Sequence, residues 1–376
     1  MSSENLKLIE ESLRGVAEVT PGSRGLLLHR LHSKYAIYHD VDPLTQKVAD
    51  QASGARLALM TSATRIEFLY SATLDQTLDG TYMAPPSVVT LTCGEQVISV
   101  AHSNGARRIW DGESMVRIDK GEVSVAVFEL VASAEPRLVE IWLPHNCNIE
   151  LLSITADAPL EAASITEPRW VHYGSSISHS IEADEPVGVW PVVAARKLEL
   201  DLFSLGIAGS ANVEQFAARA IAEQPADLIS LKIGINPVNG RNMTRRTFVP
   251  AVHSFLDTIR AAQPDTRIVL ISPIYCETHE TSPGPTLGGL DGRLKASPES
   301  TEAWVGDLTL SMIRELLKSI VDRREDSRLE YLDGLELFSV SEASLMPDGL
   351  HPNAEGYRLI GERFATIAKA RGYLSR

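Results

Sequence analysis

Cysteine is scarce. The 376 residues hold three, Cys93, Cys147 and Cys276, far apart and odd in number. Such usage is too sparse for a disulfide framework and fits reduced thiols in a reducing compartment, so no disulfide is expected. Long apolar runs are also missing. The opening stretch MSSENLKLIEESLRGV contains nothing that reads as a signal-peptide core, and no later segment reaches the ~20 apolar residues of a membrane-spanning helix. The expected location is cytoplasmic, without a membrane partner. Positive charge is in deficit: 35 Lys and Arg against 49 Asp and Glu leave a formal charge of -14. An acidic surface with no basic run repels phosphate backbones, which excludes nucleic acid as a partner.

What is present is an ordinary globular composition, 44% hydrophobic and 22% charged, in a chain long enough for two domains with cores of their own. The two halves follow different periods. From about Leu26 to Ala156 short strands succeed one another, separated by turn signals such as Cys93-Gly94-Glu95, Ser103-Asn104-Gly105 and Asp119-Lys120-Gly121. Ile66, Phe68 and Tyr70 alternate with Arg65, Glu67 and Leu69, and Val123, Val125 and Val127 with Ser124 and Ala126. A β-sandwich, jelly-roll-like, is the simplest architecture for residues 1–160.

After about Glu161 the rhythm becomes strand then helix, repeated. The short apolar runs 170–174, 201–206, 227–234, 267–272 and 329–334 alternate with or precede helical stretches around 212–224, 244–263, 302–324 and 353–371. This predicts a parallel sheet covered by helices on both faces, an α/β class for residues 161–376, with ligands beyond the carboxyl ends of the strands. The stretch 157–168 reads as a linker. The Gly- and Pro-rich segment from Tyr275 to Ser300 is either a lid over the site or a plain insertion.

Four segments fall at those strand ends or just before the last helix. Ser176, in Tyr173-Gly174-Ser175-Ser176-Ile177-Ser178, stands at a strand-to-helix turn, where a helix start favours developing negative charge. Gly209, in Gly206-Ile207-Ala208-Gly209-Ser210-Ala211-Asn212, lets a backbone N–H approach a ligand with no Cβ in the way. Asn236, in Gly234-Ile235-Asn236-Pro237, offers a side-chain amide donor. Asp348 precedes His351 by three residues in Pro347-Asp348-Gly349-Leu350-His351-Pro352, a spacing that lets a carboxylate fix the imidazole tautomer and leaves the other ring nitrogen to take a proton from a serine. Taken singly, the first three segments read better as caps and turns, and the fourth reads equally well as a surface Asp-His pair.

Together, their order and spacing resemble the four blocks of the SGNH (GDSL-type) hydrolases over roughly residues 168–372. The resemblance implies a flavodoxin-like three-layer α/β/α catalytic domain, with Ser176 as nucleophile and Asp348 and His351 completing a triad. It implies an oxyanion hole made by the Ser176 N–H, the Gly209 N–H and the Asn236 side chain, and it implies no cofactor and no metal. Two positions depart from the family pattern: Ser175 replaces the aspartate of the signature, and Pro237 follows Asn236 where many members have Asp. Ser178 stands where the second glycine of G-x-S-x-G would be, so the turn is not the nucleophile elbow of α/β-hydrolases.

The implied chemistry is two-step acyl transfer through an acyl-Ser176 ester. Over both halves the chain also resembles the acyltransferase branch of the family that acts in tetracycline-polyketide biosynthesis, which implies an ester or acyl-CoA donor and a hydroxyl acceptor. The alternatives are a carboxylesterase or acetylesterase, with a carbohydrate-binding-module-like sandwich presenting Trp110 and Trp142 to sugar, and a binding protein on an inactive scaffold. Core positions fit both tryptophans better. His29 and His32 lack a third ligand at metal spacing. His172 and His179 flank the serine block as pocket lining or as packing, and Cys276 reads as a buried thiol rather than a second nucleophile.

Overall fold

The computed structural model describes residues 3–39, 43–112, 114–289, 292–297 and 306–374. It divides into two compact units, one of Met1–Ala36, Gln46–Thr166 and Asp184–Val187, the other of Ile37–Thr45, Glu167–Ala183 and Gly188–Arg376.

The first unit is a two-sheet sandwich. One sheet runs Leu13–Arg14, Arg56–Thr61, Arg137–Trp142, Ser87–Cys93, Gln96–His102. The other runs Glu18–Pro21, Leu26–His29, Asn148–Ala156, Arg65–Thr77, Ala106–Asp111, Ser114–Asp119. Pairing is antiparallel except between Arg65–Thr77 and Ala106–Asp111, which run parallel. The alternation at Ile66, Phe68 and Tyr70 is a core face, since all three side chains are fully buried. In Ser124–Glu129 the buried face is not the valine one: Ser124, Ala126 and Phe128 point inward and Val125 is exposed. The register explains the inversion, because Ser124 lies opposite Tyr70 and Ala126 opposite Phe68. Small residues across from large rings fill the layer without overpacking. Nor is 157–168 a free linker, since Glu161–Ala162 adds to Arg56–Thr61 as a short strand.

Both tryptophans singled out in this half are engaged. Trp142 is buried, its Nε1 donates to Thr92 Oγ1 at 3.2 Å, and the Arg56 guanidinium covers its ring. Trp110 is half-buried, donates to Asp75 and lies under the Lys47 ammonium. His29 bridges Thr20 and Asp50.

The second unit carries a five-stranded parallel sheet in the order Asp201–Gly206, Arg169–Gly174, Leu228–Lys232, Arg267–Ile271, Leu329–Leu332. In chain order this is 2-1-3-4-5, the flavodoxin-like arrangement. The strands are buried nearly throughout, which is why they read as continuous apolar runs rather than alternating ones. On one face, Trp170 stacks on Phe364 with centroids 5.0 Å apart and meets Trp190, joining helices Trp190–Leu198 and Ala354–Ala370 to the sheet. On the other, Tyr173 packs against Phe255 of helix Arg245–Ala262. The expected helices appear as Gln215–Ala222, Arg245–Ala262, Leu310–Arg324 and Ala354–Ala370. Residues 302–305 of the third expected stretch lie outside the described residues. Helix Trp190–Leu198 was not expected. Among the described residues, no helix is long and apolar enough to cross a membrane.

Candidate active site

The first three strands end together at Gly174, Gly206 and Lys232; the segment after the first meets the turn ahead of the last helix, and the segments after the second and third meet each other. Gly174 is required where it stands: a Cβ there would lie 2.2 Å from Ser178 Oγ, because the chain folds straight back into a helix of four residues, Ser176–His179. Ser178 is tied down beneath this turn. Its Oγ bonds His172 Nε2 at 2.8 Å, and His172 Nδ1 bonds Ser230 Oγ at 2.7 Å. Burial, then the neighbouring Lys232, pushes His172 down to about 3, so this imidazole stays neutral and serves packing. His179 is likewise fully buried, so neither histidine lines an open site.

Ser176 itself remains half-buried. Its Oγ lies 2.9 Å from His351 Nε2, and His351 Nδ1 lies 2.7 Å from Asp348 Oδ2. The other carboxylate oxygen of Asp348 accepts the backbone N–H groups of Leu350 and His351 at 2.8 and 2.7 Å. The Asp-Gly-Leu-His turn thereby closes on its own carboxylate, which is what the three-residue spacing provides. Burial works against protonation of His351, but the bond to Asp348 and the charges of Glu182 and Asp348 outweigh it, and its pKa is raised above 6.5. Burial raises the Asp348 carboxyl, yet its bonds to His351 and to the backbone hold it below the ordinary aspartate value.

The donor side is assembled from the second and third strand ends. Gly209 is exposed with φ +74°, a left-handed conformation that favours glycine. Asn236 is buried, and its Oδ1 accepts the Ala211 N–H at 2.9 Å. That bond fixes the amide orientation, leaves Nδ2 as the end that donates, and links the asparagine segment to the glycine segment. Glu214 adds a further tie by accepting from Asn212 N–H at 2.9 Å and from Tyr173 OH at 2.7 Å. The Ser176 and Gly209 N–H groups have no acceptor among the described residues. Ser176, His351 and Asp348 thus stand in one hydrogen-bonded line, and Asn236 is bonded to the segment that carries Gly209.

The segment after Tyr275 supports the base. Leu294 N–H donates to Asp348 O at 2.7 Å, and Thr278 Oγ1 and Cys276 Sγ donate to Gly349 O at 3.2 and 3.3 Å. Its described part fastens the Asp348–His351 turn from behind. Cys276 is buried and its thiol is pushed up to about 11 by that burial, which leaves it no nucleophilic role. Glu182 and Tyr357 also reach this site and were not read from the sequence. Tyr357 OH donates to Glu182 Oε2 at 2.7 Å, and Glu182 Oε1 stands 3.8 Å from His351 Nδ1. Tyr357 is fully buried, and its hydroxyl was the available signal, since a buried Tyr normally finds a partner.

A flavodoxin-like sheet with a Ser–His–Asp line beyond its strand ends is an arrangement that enzymes use to make a serine hydroxyl nucleophilic. The chain belongs to the GDSL-like lipase/acylhydrolase family, a family of enzymes, whose model matches residues 164–359, more than half of the chain. Among solved structures it is similar to the salicylyl-acyltransferase SsfX3 from a tetracycline biosynthetic pathway, at 25% identity over 96% of this chain and 94% of that one, with a TM-score of 0.77. A Bacteroides ovatus protein described as a GDSL-like lipase matches at 18% identity over 98% and 97%, TM-score 0.67. A family two carbohydrate esterase from Cellvibrio japonicus matches at 11% identity over 98% of both chains, TM-score 0.59. The last two likenesses are of fold alone. A search of curated protein sequences returns no match.

Proposed function

We propose that the protein is a serine acyltransferase that works through an acyl-Ser176 intermediate, moving an acyl group from a thioester donor to a hydroxyl of a polyketide-type acceptor. The observation that carries the chemistry is the 2.9 Å contact of Ser176 Oγ with His351 Nε2, backed by Asp348 on the far ring nitrogen. In the first step Ser176 Oγ bonds to the acyl carbon while His351 takes the hydroxyl proton. The tetrahedral oxyanion is received by the Ser176 N–H, the Gly209 N–H and Asn236 Nδ2; collapse breaks the bond to sulfur, and His351 gives its proton to the departing sulfur, which leaves as the thiol and returns the ring to its neutral form. In the second step the acceptor hydroxyl attacks the acyl ester, and its proton passes through His351 to the Ser176 oxygen that leaves.

The direction toward transfer is supported by the similarity to the salicylyl-acyltransferase, which runs through nearly the whole of both chains. A fluorophosphonate should label the protein at Ser176 and fail on Ser176→Ala. Intact-mass measurement after exposure to a panel of acyl thioesters and esters then reads the acyl group retained on Ser176, and added hydroxyl acceptors should discharge it. Discharge to water at a rate no acceptor changes makes the protein an esterase. Absence of labelling on the wild type removes the nucleophile.

A further inference from the structure

His351 has two carboxylates on one ring nitrogen. Asp348 Oδ2 bonds Nδ1 at 2.7 Å, and Glu182 Oε1 approaches the same atom at 3.8 Å from the segment that follows helix Ser176–His179. Glu182 is exposed, and an exposed glutamate ordinarily gives up such a contact to rotamer freedom. Here its other oxygen is held at 2.7 Å by the hydroxyl of Tyr357, whose ring is fully buried in the last helix. Among the described residues no lysine or arginine pairs with Glu182, so His351 is its one partner of potential positive charge.

Asp348 is heavily engaged. Its two oxygens already accept three hydrogen bonds, from Leu350 N–H, His351 N–H and the imidazole. Two carboxylates about a neutral ring repel each other, and the same two about an imidazolium are both satisfied. The arrangement is therefore complementary to the state that exists while Ser176 is being acylated and deacylated, not to the resting one. The other titratable groups near the turn are otherwise engaged: Cys276 donates to Gly349 O, and Arg293 stands 3.7 Å from Glu277.

We propose that Glu182, held by Tyr357, is a positioning residue for the acyl-transfer step: a second carboxylate that stabilises the imidazolium of His351 and sets the pH at which this base works. The proposal rests on His351 being the base for Ser176. Glu182→Gln keeps the side-chain shape and an acceptor for Tyr357 while removing the charge. In a profile of kcat/KM against pH on an activated ester, its acidic limb should move down by about half to one pH unit, and its plateau should fall by about three- to tenfold. Tyr357→Phe, which frees the carboxylate, should move the limb the same way by a smaller amount.

A merely structural Glu182 would lower the plateau and leave the limb in place, which overturns the proposal, as does a Glu182→Gln profile that overlies the wild type. Labelling of wild-type Ser176 by a fluorophosphonate is run alongside. Labelling with an unmoved limb removes the role of Glu182 alone, and no labelling removes the catalytic reading beneath it.

Discussion

In the mechanism proposed above Asn236 has two jobs, and substitutions separate them. Its Oδ1 accepts the Ala211 N–H at 2.9 Å in a buried setting, and its Nδ2 is the end left to meet an oxyanion. Asn236→Ala removes both functions. Loss of one oxyanion donor costs about 100- to 1,000-fold in kcat, or about 2.7 to 4 kcal/mol of transition-state stabilisation. Loss of the acceptor strands a buried N–H at a cost of about 1 to 3 kcal/mol of folding stability. Asn236→Asp is nearly isosteric and keeps an oxygen for Ala211, so its stability should stay closer to wild type. Its carboxylate, however, replaces a donor with negative charge where the oxyanion forms, and turnover should fall at least as far as in the alanine variant. Steady-state kinetics on an activated ester and denaturant melts read the two quantities independently. Turnover within threefold of wild type in Asn236→Ala would refute the donor role, and unchanged stability in the same variant would refute the structural one.

Two further outcomes follow from the geometry. Because the His351 pKa is raised above 6.5 and the neutral ring is the base, kcat/KM should fall as pH drops through a limb lying above 6.5; a plateau that persists below 6.5 in a pH series contradicts the assignment. In the sandwich, Ala126→Val should overpack the layer against Phe68 and cost about 1 to 3 kcal/mol, whereas exposed Val125→Ala should stay within about 0.5 kcal/mol, both read from urea melts.

The catalytic half was legible because its constraints are local. Parallel strands buried on both faces leave uninterrupted apolar runs, and a site beyond their ends needs particular residues within a few positions of each run. Ser176, Gly209 and Asn236 satisfy that condition, and the Asp348–His351 turn was marked instead by its own spacing just ahead of the last helix. What escaped depended on partners remote in sequence. Helix Trp190–Leu198 has Val189 at its N-cap with no side-chain cap, so the proline in its first turn is a start signal without the capping residue that usually accompanies it; packing of Trp190 on Trp170 and Phe364 is among the contacts that hold it. The inward face of Ser124–Glu129 could not be read from the alternation, because hydrophobicity favours valine over alanine and serine and only the rings across the ladder reverse that preference.

The same distinction orders the site itself. The proposed donor side consists of backbone and one amide locked by a backbone N–H, so it would need little reorganisation when charge appears on a substrate oxygen. The base side is a turn that closes on its own carboxylate, and it is held from behind by Leu294, Thr278 and Cys276. Each of these bonds acts on the backbone of Asp348 or Gly349 and not on the imidazole, so they set where the ring is and not how readily it takes a proton. Proton affinity falls to the two carboxylates at Nδ1, one supplied by the turn and one from a different segment. Asp348 thus serves both position and basicity, whereas Glu182 makes no bond to the backbone of the turn, so in the proposal above a substitution at Glu182 should change the basicity of His351 and leave its position in place.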